Sequence, residues 1–250
     1  MPNQTISMIE KYVAECDSTN TYIKEHYILD NKDVNVLLRT DYQINGKGQG
    51  ENFWESEKDK NLLISFVLYI QNLLATNQFY ISKWISVSLL KILSHYVNME
   101  KLWVKWPNDI YYDDKKIAGI LIENTIVGIS LKKTIIGVGL NINQSNFNSS
   151  APNPISLYQI LDKEINVKEI YDKVKNILLC IPTFDDKSFL EKVDKLYYEK
   201  LYWKGEKHHF MIKNSIEEGV ILGTDEFGFL KLYINNRVQT FDIKEVEYIK

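Results

Sequence analysis

Hydrophobic residues form compact runs along the chain, and the spacing within each run predicts a secondary structure. Nearly continuous apolar runs predict buried strands over residues 34–40 and 61–70. The segment 77–97 repeats its apolar residues every three or four positions, which predicts a helix buried on more than one side. A short helix is also predicted after Asp17, ending near Tyr27, with Asp17 or Ser18 as its cap.

The middle of the chain predicts a sheet, because four apolar runs follow one another with short linkers. They cover residues 102–106, 117–123, 126–131 and 135–143. Short connections favour antiparallel neighbours. Two or three helical patterns come next, and the clearest of them cover 170–181 and 189–197.

From Trp203 onward the pattern changes to short strands separated by turn residues. Apolar runs near 210–212, 220–222, 229–234 and 238–241 alternate with glycines and with an Asn-Asn dipeptide. Such a pattern is typical of a small β-barrel. We therefore expect a domain boundary near residue 202, with a larger domain over 1–202 and a small barrel over 203–250.

Composition narrows the class of protein. With 250 residues, 45% of them hydrophobic, the chain can bury a large core, and its net charge of −3 gives no basic footprint for nucleic acid. Cys16 and Cys180 are far apart in sequence, which predicts neither a disulfide framework nor a cysteine-rich zinc site. The absence of a signal pattern and of a membrane-length apolar run leads us to expect a cytoplasmic protein without a membrane partner.

Two polar groups interrupt the central apolar runs. Trp106-Pro107-Asn108-Asp109 ends one run abruptly, and Lys116 opens another. The proline restricts its own backbone and that of Trp106, so the Asn and Asp side chains point in a fixed direction. Turn formation is the ordinary explanation of Asn and Asp here, and a solvated edge charge is the ordinary explanation of the lysine.

A glycine-bearing loop lies between the first two predicted strands. Gly46-Lys47-Gly48 combines a basic side chain with backbone that can approach an anion closely, although the segment does not match a P-loop. Trp54 closes the loop and is wide enough to cover a fused ring. A flexible loop with a tryptophan folded onto the core is the alternative. The four histidines, His26, His95, His208 and His209, do not have the spacing of a metal site.

These motifs follow one another in an order that resembles the biotin protein ligases, the biotin–[acetyl-CoA-carboxylase] ligases. The order runs from Asp-Ser-Thr-Asn at 17–20, through a glutamine and the glycine loop, to Lys-Trp-Pro-Asn-Asp at 105–109. It continues with Lys-Ile-Ala-Gly-Ile-Leu-Ile-Glu at 116–123 and Gly-Val-Gly-Leu-Asn-Ile-Asn at 137–143. The likeness covers about residues 15–145, and the strands after 202 are similar to the family's SH3-like domain.

The resemblance implies an α+β fold. We expect a mixed, largely antiparallel sheet like that of class II aminoacyl-tRNA synthetases and biotin synthetases, with helices on one side, followed by a small SH3-like β-barrel. Some members of the family also carry an amino-terminal helix-turn-helix domain and repress transcription. Too few residues precede Ser18 for such a domain, so we expect no DNA partner. A homodimer is expected from family habit alone.

The resemblance also implies a two-step reaction. ATP and biotin give biotinyl-5′-AMP and pyrophosphate, and a lysine on the biotin carboxyl carrier domain of a biotin-dependent carboxylase then accepts the biotinyl group. Lys116 would neutralise charge between the biotin carboxylate and the α-phosphate. Asp109 would position Mg²⁺ or assist the transfer step, and Lys47 completes the implied catalytic set. The implied biotin contacts are Ser18, Thr19, Asn20, Gln43, Lys47, Gly48, Gln49 and Lys116.

The implied ATP contacts include Asn108, as the reader of the adenine ring, and Trp54, stacked near it. The full implied set is Gly46, Lys47, Gly48, Trp54, Asn108, Asp109 and Asn141. The loop departs from the family pattern at two places, because Lys47 stands where arginine is usual and Gly50-Glu51-Asn52 stands where a second glycine more often comes just before Asn or Arg. Lysine keeps the charge and loses the planar bidentate fork, so we expect a looser grip on the adenylate.

Two other functions fit part of the pattern. A lipoate or octanoate ligase would share the lysine at the strand mouth, but its signature lacks Lys-Trp-Pro-Asn-Asp, and a ureido ring suits the hydroxyls and amides at 18–20 and 43 better than an alkyl chain does. A non-catalytic biotin-binding regulator would retain the pocket without turnover. The presence of both Asp109 and Lys116 argues against it.

Overall fold

The computed structural model describes residues 4–5, 7–28, 34–70, 73–148, 153–182, 184 and 186–249. In chain order the first elements are β1 (Gln4–Thr5), β2 (Met8–Cys16), α1 (Thr19–Tyr27), β3 (Asn35–Gln43), β4 (Leu62–Tyr69), α2 (Phe79–Leu93), β5 (Leu102–Lys105), β6 (Asp109–Tyr112), β7 (Lys115–Val127) and β8 (Ser130–Leu140). They are followed by α3 (Leu157–Leu161), α4 (Val167–Leu179), β9 (Cys180–Ile181), α5 (Lys187–Glu199), β10 (Lys207–Ile212), β11 (Ser215–Thr224), β12 (Leu230–Ile234), β13 (Arg237–Phe241) and β14 (Val246–Ile249). Among the described residues, no helix is long and apolar enough to cross a membrane.

A seven-stranded sheet forms the centre of the molecule, in the order β2-β3-β4-β8-β7-β6-β5. Only β2 and β3 run parallel, and every other neighbouring pair is antiparallel. The expected mixed, largely antiparallel sheet is therefore confirmed. The two-residue strands β1 and β9 pair separately.

Helices cover both faces of this sheet, which corrects the expectation of helices on one side. Leu37 belongs to the large core beneath α2 and α4, whereas its neighbours Val36 and Leu38 belong to a smaller core with Ile23 of α1. Side chains alternate across a strand, so a continuous apolar run supplies both faces at once. The run in β3 could not reveal which face each helix would take.

Several boundaries differ from those the pattern predicts. Residues 126–131 are the tip of the β7–β8 hairpin and not a separate strand. The edge strand β2 was not predicted, because most of its residues are exposed and carry no clear alternation. The strand Asp109–Tyr112 was not predicted, because the pattern indicated only that a run ends at Trp106-Pro107-Asn108-Asp109. Ser18 occupies the N-cap position of α1, but neither its side chain nor that of Asp17 makes a capping hydrogen bond.

A five-stranded antiparallel sheet follows the last helix, in the order β13-β12-β11-β10-β14. Its inner residues, such as Phe210 and Leu232, join the core of the main sheet. Trp106 Nε1 donates a hydrogen bond to the Gly228 carbonyl at 2.8 Å, which ties the two sheets together. The sheet contains a fifth strand, β14, that the sequence pattern did not predict. We keep a domain boundary near residue 202 as a proposal.

Candidate active site

A cleft of about 1070 Å³ lies between the main sheet and the carboxy-terminal sheet. Its floor is formed by β7 and β8, and its sides by the start of α1, residues 47–54 of the glycine-bearing loop, the β5–β6 corner and residues 242–248. The main sheet brings these segments together, because β7 and β8 are hydrogen-bonded neighbours and Asp109 of β6 lies opposite Gly119 of β7. Sequence-distant motifs therefore face one space.

One end of the cleft is a buried polar corner. Ser18, Thr19, Asn20 and Gln43 line it, and each is less than a tenth exposed. The backbone N–H of Thr19 donates to Gln43 Oε1 at 2.8 Å, and Thr19 Oγ1 lies 3.0 Å from the same oxygen. The Gln43 carbonyl is thereby engaged with the protein, which leaves its NH₂ group as the donor available to a ligand.

Ser65 lies behind this corner and connects it to a surface carboxylate. Its Oγ is 2.6 Å from Thr19 Oγ1 and 2.5 Å from Asn20 Oδ1. Asn20 Nδ2 donates to Glu123 at 2.8 Å, and Lys24 pairs with the same carboxylate. The sequence analysis missed Ser65, because a serine inside the apolar run of β4 gave no sign that it faces α1. Burial at 0% exposure makes its hydrogen bonds obligatory.

The opposite side of the cleft holds an ion pair. Asp109, at the start of β6, lies 2.8 Å from Lys116 Nζ, and the two side chains are 25% and 23% exposed. Backbone hydrogen bonds from Lys116 N to the Asn153 carbonyl and from Ile155 N to the Lys116 carbonyl hold the lysine at the strand mouth. A cation and a carboxylate are thus held together at a partly solvated position facing the cleft.

Asn108 is fixed by β7 on two sides. The Ile120 N–H donates to the Asn108 carbonyl at 3.0 Å, and Asn108 Nδ2 donates to the Ile120 carbonyl. Because Nδ2 is committed to backbone, Oδ1 is the group that remains to accept a hydrogen bond from a ligand. The preceding Trp106–Pro107 peptide is cis.

Trp54 lies flat on the glycines of the floor. A Cβ built on Gly139 would lie 2.4 Å from the Trp54 ring, and one built on Gly119 would lie 2.9 Å from it. Only residues without a side chain leave room for the indole here. Lys116 Nζ lies 5.6 Å from the ring centroid, and Trp54 Nε1 is buried without a partner in the part of the chain that the structure describes.

The predicted site residues divide into two groups in the structure. Lys47, Gly48 and Gln49 line the cleft together with the residues described above. Gly46 does not line it and instead accepts a hydrogen bond from the Trp54 N–H at 2.8 Å, which closes the loop. Asn141 is buried beside the Lys116 strand and donates to the Ile155 carbonyl at 3.1 Å, so its side chain also lies outside the cleft lining.

The carboxy-terminal sheet contributes a wall that the sequence did not indicate. Tyr248 of β14 lines the cleft, and Lys105 lies 4.7 Å above its ring and 3.3 Å from the Tyr111 hydroxyl. Burial raises the pKa of Tyr111 and of Tyr248, so both phenols stay neutral at physiological pH. The sequence did not indicate Tyr248, because the motifs that resemble the family end near residue 145, far from β14 in sequence.

The carboxylates of the cleft determine whether it can hold Mg²⁺. Within the described ranges there is no group of three or more His, Cys, Asp or Glu side chains that could hold a metal ion alone. Mg²⁺ bound to a nucleotide needs only one or two protein carboxylates, because phosphates and waters complete its shell. Glu51, Asp242 and Glu247 also line the cleft, but Asp109 is the carboxylate paired with Lys116. One carboxylate at this position fits a metal that arrives with phosphates and does not fit a resident metal centre.

A family model described as the biotin/lipoate A/B protein ligase family matches residues 12–141. The chain belongs to this family. The match begins in β2 and ends just after β8, so it contains the polar corner, the loop, Asp109 and Lys116. The family description covers two different acids and does not by itself distinguish between them.

Relatives and solved structures from the biotin branch of the family resemble this chain. It is 28% identical over 213 residues to the biotin–protein ligase of Homo sapiens, covering 81% of this chain and 29% of that protein. It is 33% identical over 109 residues to the bifunctional ligase/repressor BirA of Escherichia coli (strain K12), covering 44% of this chain and 33% of that protein. The chain thus spans about a third of the length of these two relatives.

A solved structure agrees with the fold over nearly the whole chain. The biotin protein ligase from Aquifex aeolicus, in complex with biotin and ATP, superposes with a TM-score of 0.72 at 26% identity, covering 97% of this chain and 99% of that one. The expected fold is confirmed: a mixed α+β domain of the biotin ligase type, followed by an antiparallel sheet consistent with an SH3-like domain.

Proposed function

We propose that this protein activates biotin with ATP and transfers the biotinyl group to a lysine of a biotin carboxyl carrier domain. The observation that carries the proposal is that one cleft holds both the buried polar corner and the Asp109–Lys116 pair. The buried polar corner can form hydrogen bonds with a small polar ring, and the ion pair places a cation beside two anions that react. The Aquifex relative, described as a complex with biotin and ATP, supports the same pair of substrates.

The first step brings two anions together. A carboxylate oxygen of biotin attacks the α-phosphorus of ATP, the bond to the β-phosphate oxygen breaks, and pyrophosphate leaves. Lys116 lies at the start of β7 and lines the cleft, and its ammonium group neutralises charge that builds up on the phosphoryl oxygens. A lysine held by backbone bonds on both sides needs little reorganisation during this step.

Asp109 has two duties in this proposal. Before substrates bind it orients Lys116 through their ion pair. With ATP present, its carboxylate would hold Mg²⁺ together with the phosphates, and the metal would supply charge neutralisation for the leaving pyrophosphate. Lys47, exposed on the loop, adds a second cation on the open side of the cleft.

The nucleotide would lie toward Asn108 and Trp54. Asn108 Oδ1 is available as an acceptor, which suits the amino group of adenine. Trp54 offers an aromatic plate beside the glycine floor. In the second step the carrier lysine attacks the acyl carbon, the bond to the phosphate oxygen breaks, and AMP leaves while the amine loses a proton.

The acceptor and the setting are further parts of the proposal. We infer that the partner is a carrier domain of a biotin-dependent carboxylase, because its lysine amine is the nucleophile that accepts the biotinyl group from such an adenylate. A cytoplasmic location matches that partner and the two unpaired cysteines, Cys16 and Cys180. Dimerisation stays a prediction, which light scattering with and without biotin and ATP can measure.

The test is exchange of labelled pyrophosphate into ATP in the presence of Mg²⁺, run with biotin, with lipoate and without acid. We expect exchange with biotin alone. Lys116→Met should lower the rate by roughly 10²-fold or more, the range seen when an oriented transition-state donor is removed. Lys115→Met is the matched control, since the neighbouring lysine is exposed and does not line the cleft.

Three results would contradict the proposal. Exchange with lipoate in place of biotin would assign the other acid of the family. Calorimetric binding of biotin without any exchange would indicate a regulator. Equal loss in the Lys115 and Lys116 variants would remove the assigned role of Lys116.

A further inference from the structure

The buried polar corner is one chain of hydrogen bonds whose proton directions can be derived. It begins at Glu123 and passes through Asn20, Ser65 and Thr19 to Gln43. Its five members lie on four segments, α1, β3, β4 and β7, so the chain of hydrogen bonds depends on the tertiary structure. The inference drawn from it rests on the proposed function, since it concerns the biotin end of the same cleft.

The first direction is set at the surface end. Glu123 is paired with Lys24, and an ionised carboxylate only accepts hydrogen bonds. Asn20 must therefore present Nδ2 to Glu123, at 2.8 Å, and Oδ1 to Ser65. Gly137 makes room for this arrangement, because a Cβ there would lie 2.5 Å from Asn20 Oδ1.

The second direction follows at Ser65. Its hydroxyl has one proton, and the carbonyl oxygen of Asn20 at 2.5 Å requires it. The hydroxyl protons of Ser65 and Thr19 serve three contacts, because Thr19 Oγ1 lies 2.6 Å from Ser65 Oγ and 3.0 Å from Gln43 Oε1. Gln43 Oε1 already accepts the Thr19 N–H, so the Thr19 hydroxyl proton is assigned to the shorter contact, with Ser65 Oγ. Thr19 Oγ1 is left with lone pairs for a ligand, and it has no proton to offer.

The orientation of the Gln43 side-chain amide is fixed independently of the hydrogen bonds of Asn20 and Ser65. The backbone N–H of Thr19 can only donate, so Gln43 must present Oε1 to it and Nε2 elsewhere. The corner thus offers an acceptor at Thr19 beside a donor at Gln43. An N–H group beside a carbonyl group, as in a cyclic urea, matches that order of acceptor and donor.

We propose that Glu123 is a positioning residue that, through Asn20 and Ser65, fixes Thr19 as an acceptor toward the biotin ring. An amide at position 123 can present either its oxygen or its NH₂ group to Asn20, so Glu123→Gln removes the constraint at nearly constant volume. Ser65→Ala removes the relay itself and lets the Thr19 hydroxyl turn toward Gln43 or a ligand.

The test compares biotin with its cyclic carbamate analogues, in which an oxygen atom replaces one ring N–H, so that an acceptor faces Thr19 where biotin places a donor. Titration calorimetry measures the affinity of each ligand for wild type, Glu123→Gln and Ser65→Ala. Biotin affinity should fall roughly tenfold in each variant, which is the effect of one misdirected buried hydrogen bond. The preference for biotin over the carbamate analogue that is weakest in wild type should fall with it, because a Thr19 hydroxyl that is free to turn can donate to the carbamate oxygen. The ATP concentration for half-maximal exchange should not change.

Lys24→Met is the control, because it removes the ion pair from its exposed side and leaves the carboxylate as an acceptor. It should keep the wild-type preference. If biotin and that analogue weaken equally in Glu123→Gln and Ser65→Ala, or if the ATP dependence changes as much, the role is structural and the inference is wrong. Wild-type protein without biotin-dependent exchange would instead overturn the proposed function, which separates the two failures.

Discussion

Two glycines of β8 offer a test of whether the cleft has a biotin end and a separate nucleotide end. Gly137 and Gly139 lie two residues apart, so their missing side chains would project to the same face of the sheet. A Cβ at Gly139 would meet the Trp54 ring at 2.4 and 2.7 Å, whereas one at Gly137 would meet Asn20 Oδ1 at 2.5 Å. Alanine at the two positions therefore disturbs opposite ends of the cleft.

The size of the expected effect follows from the overlap between the added Cβ and the Trp54 ring. An ordinary carbon contact lies at about 3.5–4.0 Å, so Gly139→Ala requires the Trp54 ring to move by roughly 1 Å. Overpacking of this kind costs about 1–3 kcal/mol. If the cost falls on the nucleotide complex, the ATP concentration for half-maximal exchange rises by roughly 5- to 150-fold. Gly137→Ala should act on the biotin dependence by a similar factor.

The assay is pyrophosphate exchange, with ATP varied at saturating biotin and biotin varied at saturating ATP. Trp54 fluorescence, read as the difference from a Trp54→Phe protein, reports whether the ring has moved. We expect the ATP dependence and the fluorescence to change in Gly139→Ala alone. If both variants alter both substrate dependences to the same degree, the cleft does not divide in this way and the assignment of its two ends is refuted.

Two further predictions concern single lysines. Lys47→Arg should slow the loss of adenylate roughly fivefold, because the guanidinium adds about one hydrogen bond of roughly 1 kcal/mol; a chase of labelled adenylate measures the release, and equal release from both proteins would contradict the expectation. Lys83 is 5% exposed and lies 2.6 Å from Asp194, so Lys83→Met should destabilise the fold by about 2 kcal/mol, after allowance for the partial exposure of that carboxylate. Calorimetry should then record a fall of roughly 4–8 °C in melting temperature, and an unchanged melting temperature would refute the stabilising role of the pair.

The sequence predicts the elements with strong local signals. The runs in β3 and β4 and the period of α2 identify buried elements, because burial on a strand or helix imposes its own spacing. Even here the helix is shorter than the 77–97 pattern, since Asn77 lies in a 3₁₀ turn and residues beyond Leu93 leave the helix. Weak or mixed patterns, as in β2 and β14, predicted no strand because exposed edges impose little periodicity.

The candidate site shows the same division. By itself the sequence determined which chemical groups were present: the order of motifs indicated Lys116, Asp109, Asn108 and the residues at 18–20. The tertiary structure decided what each group faces. Ser65 contacts Asn20, and Asn20 in turn donates a hydrogen bond to Glu123, whereas Gly46 and Asn141 lie outside the cleft lining. The physical reason is that Ser65 contacts Thr19 and Asn20, and Asn20 contacts Glu123, across more than 40 positions of sequence, and such contacts exist only after the sheet has formed.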